Sequence, residues 1–255
     1  MDITRINIIG AGNVANYLVH KLGSDIQVVN VYSRTLSHAS NLATIANAIP
    51  IDQIELIDNT VDLNIICVKD DAVKEIIKHL SKNVLTVHTS GSLDISILDS
   101  FTNFGIIYPL QTISKNRINK IGEIPFLVEA NNQDVERILL EFTMNQFSKQ
   151  SLLVDSKTRL QIHIAAVIAN NFTNYLLLKS EEILNQSGVD FQILRPLLNE
   201  TINKAFESGP TNSQTGPAFR NDKKTIELHM QKLSDTHVKE LYKLMTELIQ
   251  KDFNV

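Results

Sequence analysis

Ile3-Thr-Arg-Ile-Asn-Ile-Ile-Gly10-Ala-Gly12-Asn13-Val14-Ala15 is the stretch on which the reading of the whole chain turns. A β-rich apolar run meets a glycine turn, and the turn opens directly into the helical spacing Val14, Leu18, Leu22. Glycine-rich triplets are common by chance; a strand before and a helix after give this one meaning. In a doubly wound fold Gly10 makes the tight turn, Gly12 lets the backbone approach a pyrophosphate, and the small Ala15 lets the helix pack close to the strand. Phosphates then rest on free N–H groups at the positive end of the helix dipole, which makes Gly10, Gly12, Asn13 and Val14 the expected contacts. An ordinary strand–turn–helix that uses glycine for its backbone freedom is the competing account, and a dinucleotide site is the better one.

Working outward, 255 residues suffice for one large domain or two smaller ones. A hydrophobic content of 43% with 20% charged residues fits a globular chain and not a disordered one. The net charge of −4, with no basic stripe, argues against nucleic acid as a partner. A lone Cys67 excludes an internal disulfide and fits a reducing compartment. The first strand begins near Ile3, which leaves no room for a signal peptide, and no run approaches the ~20 apolar residues of a membrane span. A cytoplasmic protein is expected.

After the first helix, Gln27–Tyr32 reads as a buried strand ending in Ser33-Arg34-Thr35. The end of this strand normally meets the adenosine ribose, where an acidic residue suits NAD and an Arg suits the 2′-phosphate of NADP. No carboxylate is present in this tripeptide, so Ser33 and Arg34 favour NADP(H), against the alternative of a solvated loop Arg. Leu36–Ala48 has helical spacing, and a short third strand is expected near Glu55–Ile57. Asp62–Val68, Asn83–His88 and Phe104–Tyr108 read as parallel strands, with Asp70 or Asp71 capping a helix over Ala72–Leu80. Ile124–Glu129, a helix over Gln133–Phe147, and Ser151–Val154 complete an α/β domain at residues 1–155. Ligands of such sheets bind beyond the carboxyl ends of the strands. That rule selects Val68 and Ser90 for the cofactor, Gln111 for a substrate, and His88 either as a proton-exchanging group or as a structural histidine. Cys67, inside an apolar run, reads as a small core residue.

From Ser156 onward the strand signal ends, and residues 156–255 are expected to form a helical domain. Lys157–Gln186 lacks Gly and Pro and reads as one long helix. At 3.6 residues per turn His163, Val167, Asn170 and Asn174 share a narrow face. Such a polar stripe on an apolar helix serves either a site or the registry of two helices. A helix over Asp190–Phe206, interrupted at Arg195-Pro196, precedes the turn-rich segment Ser208–Asp222. There Gln214, Thr215 and Arg220 carry groups suited to a carboxylate, phosphate or carbonyl. Asp222 is positioned to cap a helix over Lys223–Leu233, and a last helix runs from about Asp235 to Ile249.

Together, Gly10–Ala15, Tyr108-Pro-Leu-Gln-Thr112, His163 with Ala165-Ala166 and Asn170-Asn171-Phe172, and Gln214-Thr-Gly-Pro-Ala218 leading to Arg220 resemble a family of two-domain proteins. That family joins a Rossmann-like domain to a helical domain of unknown function. More distantly the chain is similar to pyrroline-carboxylate reductases, β-hydroxyacid dehydrogenases, 6-phosphogluconate-dehydrogenase-like proteins and deazaflavin-dependent NADP oxidoreductases. The resemblance implies a Rossmann-like parallel sheet, an all-α, 6-phosphogluconate-dehydrogenase-like C-terminal domain, and an intertwined helical homodimer. Tyr108 stands where the family usually has His. The Lys-then-Asn pair of β-hydroxyacid dehydrogenases is missing, since no Lys lies between Leu160 and Leu178.

The expected function is NADP(H)-dependent reduction of a small C=O or C=N substrate at the domain junction. His163, Asn170 and His88 are the catalytic candidates, Gln111, Asn174, Gln214 and Arg220 the substrate contacts, and no metal is expected. A sensor of NADP(H), or a partner-binding protein without chemistry, is the alternative from a different class. A third reading, hydride exchange with a deazaflavin, would require a broad flat slot beside the nicotinamide.

Overall fold

The computed structural model describes residues 2–255. The chain divides into two compact units, the first ending at Asn171 and the second running Phe172–Val255. This division falls inside a helical run, whereas the composition changes near residue 155.

The first unit is built on an eight-stranded sheet. In chain order it contains β1 (Arg5–Ile9), α1 (Asn13–Lys21), β2 (Gln27–Tyr32), α2 (Leu36–Ala46), β3 (Ile49–Ile51), β4 (Leu63–Ile66), α3 (Asp70–Ile76), β5 (Leu85–His88), β6 (Phe104–Pro109), β7 (Phe126–Ala130), α4 (Gln133–Gln146) and β8 (Ser151–Leu153). The strand order is β3-β2-β1-β4-β5-β6-β7-β8, and every pairing is parallel except β6 with β7. The order reverses between β1 and β4, which makes their carboxyl ends the switch point where ligands of doubly wound sheets bind.

Consecutive side chains of a strand point to opposite faces. Ile8, Val31 and Ile65 accordingly join a core with Tyr17, Leu18, Leu42 and Leu139 of α1, α2 and α4. Ile9, Tyr32 and Ile66 join a second core with Val73 and Ile76 of α3 and with Leu98 and Phe101. Both faces are covered, as a Rossmann-like sheet requires. On the sheet face that carries Ile9, Tyr32 and Ile66, toward the amino ends of the strands, lies a polar ladder. Asn7 Nδ2 donates to Asn64 Oδ1 (2.9 Å) and to the Asp58 carbonyl (2.8 Å), and Asn7 Oδ1 accepts from Asn30 N (3.3 Å). Asn64 Nδ2 reaches Thr86 Oγ1 at 3.4 Å, and all four polar side chains are buried.

The first unit ends in α5 (Ser156–Ala166) and in all but the last residue of the segment Val167–Phe172, whose turns widen to π-helix. The second unit is helical: α6 (Thr173–Asn185), α7 (Arg195–Ser208), α8 (Pro210–Ser213), α9 (Lys223–Lys232) and α10 (Thr236–Asp252).

Several elements differ from expectation. The third strand is Ile49–Ile51, and Ile54–Leu56 forms a 3₁₀ turn. Pro50 disguises the strand, and it is tolerated because β3 is an edge that can spare an N–H. Pro196 does not interrupt a helix; it lies in the first turn of α7, where its missing N–H costs nothing. The expected long helix is helical from Ser156 to Asn185, but the π-widened segment breaks its 3.6-residue phase. His163, Val167, Asn170 and Asn174 therefore do not follow one another on a single straight stripe.

Candidate functional site

The glycine turn leaves β1 at the switch point. Gly10 has φ +121°, and a Cβ there would stand 2.5 Å from the Cys67 carbonyl oxygen at the end of β4. Backbone conformation and crowding thus both demand glycine. At Gly12 the opposite holds: nothing lies within 4 Å of where a Cβ would be, so that side of the turn is open to a ligand. Gly12 is the N-cap of α1 and supplies no side-chain cap, which leaves the first N–H groups of the helix available. Buried Asn16 fixes the turn from beneath, its Nδ2 donating to the carbonyls of Gly12 (2.8 Å) and Ala11 (3.2 Å).

These residues open onto a cavity of about 500 Å³ lined by Gly10, Gly12, Asn13, Ser33, Arg34 and Val68, and also by His38, Lys69 and Lys115. No carboxylate is among its lining residues, so its electrostatics suit an anion. Val14 packs partly against the core instead, and Ser90 lies outside this lining. His38, Lys69 and Lys115 were missed by sequence reasoning. His38 and Lys69 had a signal, since one lies in the first turn of α2 and the other directly follows Val68. Lys115 had none: its ammonium donates to the Ala11 carbonyl at 3.2 Å across a separation of 104 residues.

Beyond β5 and β6 a second group of side chains gathers. The Tyr108 hydroxyl lies 2.9 Å from His163 Nδ1, and the two rings meet edge to face at 5.7 Å. Burial raises the Tyr108 phenol above its ordinary value. Gly91 is pressed against both residues. His88 is only 1% exposed; its Nδ1 accepts from Ser90 N at 3.2 Å, and its Nε2 has no partner. Burial, and next the nearby Arg159 guanidinium, lower the imidazole to about 4, so His88 is neutral near pH 7. Arg159, also 1% exposed, pairs with Glu129 of β7 and donates to the Leu93 carbonyl. Asp70 does not cap α3, whose N-cap is Lys69 without a side-chain bond. Its carboxylate instead accepts from Ser90 Oγ (2.9 Å) and Ser92 Oγ (2.6 Å), tying the loops after β4 and β5 together. Cys67, half-buried, packs against the core but also lines the cavity at the glycine turn; desolvation pushes its thiol up to about 12, which does not suit a nucleophile.

Gln111 is exposed just past β6, its Oε1 accepting from Thr112 N at 2.9 Å, and Asn170 is exposed in the π-widened segment, bonded to Asn171. Asn174, Gln214 and Arg220 belong to the second unit. There Gln214 donates to the Thr215 carbonyl at 2.9 Å, Arg220 is exposed after the Gly216 turn, and Asp222 caps α9 as expected. Among the described residues no group of three His, Cys, Asp or Glu side chains is placed to hold a metal, and no helix is long and apolar enough to cross a membrane.

Comparison with known proteins gives the family of this fold. Residues 5–91 match the family described as NADP oxidoreductase, coenzyme F420-dependent, and residues 124–249 match a domain of unknown function. The chain is 32% identical to a Bacteroides fragilis protein described as a "putative NADP oxidoreductase", over 98% of both chains, with a TM-score of 0.88. This chain belongs to that NADP oxidoreductase family. The oxidoreductase also shares its fold with the 1-pyrroline-5-carboxylate reductase of Streptococcus pyogenes (14% identity, 98% of both chains, TM-score 0.63). An imine reductase of Myxococcus stipitatus, solved with NADP+, is likewise similar (14% identity, 97% of this chain and 93% of that one, TM-score 0.66). No curated protein matches the oxidoreductase.

Proposed function

We propose that this oxidoreductase uses NADP(H) to reduce a small C=O or C=N substrate, with His163 delivering the proton. The observation that carries the reading is the open, carboxylate-free cavity joining the glycine turn to Arg34. N–H groups at Gly12, Asn13 and Val14 would hold the pyrophosphate, and Ser33 and Arg34, with His38, would hold the 2′-phosphate. Val68 and Ser90 would flank the nicotinamide end. Bound there, the nicotinamide supplies a hydride to the substrate carbon. His163 gives a proton to the substrate heteroatom. Gln111 and Asn170 would offer amides to orient the substrate, and within the second unit Asn174, Gln214 and Arg220 carry donor chemistry of the kind that a carboxylate or carbonyl needs. His88, buried and neutral, supports the Ser90 loop in this reading and moves no proton.

A homodimer through the helical unit, in the cytoplasm, completes the proposal. No helix of that unit contains a buried side chain, and a groove of about 630 Å³ between its own helices is lined largely by apolar residues, among them Leu176, Ile183 and Met245. A unit of this size normally buries most of its apolar surface, and a second copy would do so here. The lone Cys67 fits a reducing compartment.

Parallel titrations with NADPH and NADH test the cofactor assignment. NADPH should bind at least about tenfold tighter, and Arg34→Ala should abolish the difference, because the charge-assisted phosphate contact is lost. His163→Ala should bind NADPH as the wild type does and lose turnover on a carbonyl and imine panel. If neither nucleotide binds at millimolar concentration, the reading is overturned.

A further inference from the structure

Imidazole has two nitrogens, and which of them carries the proton decides what a histidine offers to a substrate. Three elements meet around His163 to make that choice. Tyr108 on β6 places its hydroxyl 2.9 Å from Nδ1. Gly91, buried in the loop after β5, closes the slot from another side: a Cβ there would fall 2.6 Å from His163 Nδ1, 2.8 Å from its Cγ and 2.9 Å from Tyr108 Cζ. Its backbone has no positive φ, so here glycine provides room and not conformational freedom. The third element, α5, holds His163 one turn before the π-widened segment, with the Val167 N–H shared between the carbonyls of His163 and Ile164.

We propose that Tyr108 is a positioning residue that donates its O–H to His163 Nδ1, so that the neutral imidazole keeps its proton on Nε2 and presents an N–H donor. The direction follows from chemistry. An unprotonated imidazole nitrogen is a strong acceptor, whereas a phenol oxygen is a better donor than acceptor. Burial of Tyr108 keeps its proton in place. Gly91 is the residue whose smallness lets the two rings reach bonding distance.

This rests on His163 being the substrate-facing histidine, and it narrows the substrate class. An N–H donor complements an atom with a free lone pair, a neutral carbonyl oxygen or imine nitrogen, and polarises it toward hydride attack. As the Nε2 proton passes to the reduced heteroatom, the Tyr108 proton moves to Nδ1, so the imidazole stays neutral and the phenolate left behind is reprotonated from solvent. A pre-protonated iminium carries its own N–H and would oppose the same group. The site therefore selects neutral acceptors.

Long-range ¹H–¹⁵N spectra of the full-length protein labelled at histidine nitrogen read the tautomer directly, with His163→Asn assigning the signal. In the wild type, neutral His163 should carry its proton on Nε2, with Nδ1 shifted as a hydrogen-bond acceptor. Tyr108→Phe should mix the tautomers, and Gly91→Ala should do so with the hydroxyl still present, by driving the rings apart. A wild-type proton on Nδ1, or a tautomer unchanged in Tyr108→Phe, would overturn the proposal. NADP+ affinity measured on the same samples should be unchanged in both variants, which shows that the fold is kept. Absence of nucleotide binding in the wild type would remove the cofactor assignment and leave the tautomer result standing.

Discussion

His88 titrates inside the protein, and that gives it a measurable signature. Its ordinary value is 6.5, and burial first, with Arg159 adding to it, lowers the folded value to about 4. Between these values the unfolded chain binds more protons, so stability rises with pH there. The contribution is complete above about pH 6.5 and is lost as pH falls toward 4, on the order of 3 kcal/mol. Urea unfolding of the wild type should lose midpoint steadily across this window, and His88→Gln should flatten that part of the profile. An equal slope in both proteins would assign the acid sensitivity elsewhere. At this scale the sequence was most legible where backbone dictates residue, as at Gly10. The depth of His88 was not legible, because the strand pattern places it at the carboxyl edge while its burial and its cationic neighbour come from loops and from α5. The partnership of Tyr108 with His163 was equally hidden, since a strand end and a helix face carry no mark of their meeting.

Between elements, the Glu129–Arg159 pair fastens β7 to the start of α5. Arg159 is 1% exposed and Glu129 13%, and Glu129 also accepts from Ser156 N and Oγ. Glu129→Gln would keep an acceptor for Ser156 yet leave a buried guanidinium without its counter-charge. Such a change costs about 3–5 kcal/mol, and calorimetry should record a correspondingly lower Tm. A loss under about 1 kcal/mol would mean that water screens the pair. The pair is invisible to pattern reading, which sees only a strand end and a helix start. Other elements were legible in existence but not in detail. Pro50 hid an edge strand, Pro196 suggested a break where it begins a helix, and the π-widened turns at Val167–Phe172 followed from no composition signal. The direction of β7 was equally unreadable, because an apolar run of that length serves a parallel or an antiparallel neighbour alike.

For the whole molecule, the exposed apolar residues of the helical unit lead to a test of assembly. Light scattering should give twice the chain mass, and Tm should rise with protein concentration, because a partner bound only by the folded state stabilises it. Met245→Glu, on the apolar groove of α10, should lower the mass to that of one chain; a wild type that already runs as one chain would defeat the dimer. The overall plan was the most legible part of all, since alternating strands and helices followed by helices alone leave few architectures open. What patterning could not supply is the alignment of one strand against the next. β1 and β4 pair Ile8 with Ile65 and Ile9 with Ile66, and a slide by two residues would still put apolar side chains on the proper faces. It would, however, pull Asn7 away from Asn64 and strand buried amides, at about 1–3 kcal/mol for each unpaired group. The asparagine ladder thus acts as a key cut into an otherwise featureless greasy joint, rejecting near-miss assemblies more than it strengthens the right one.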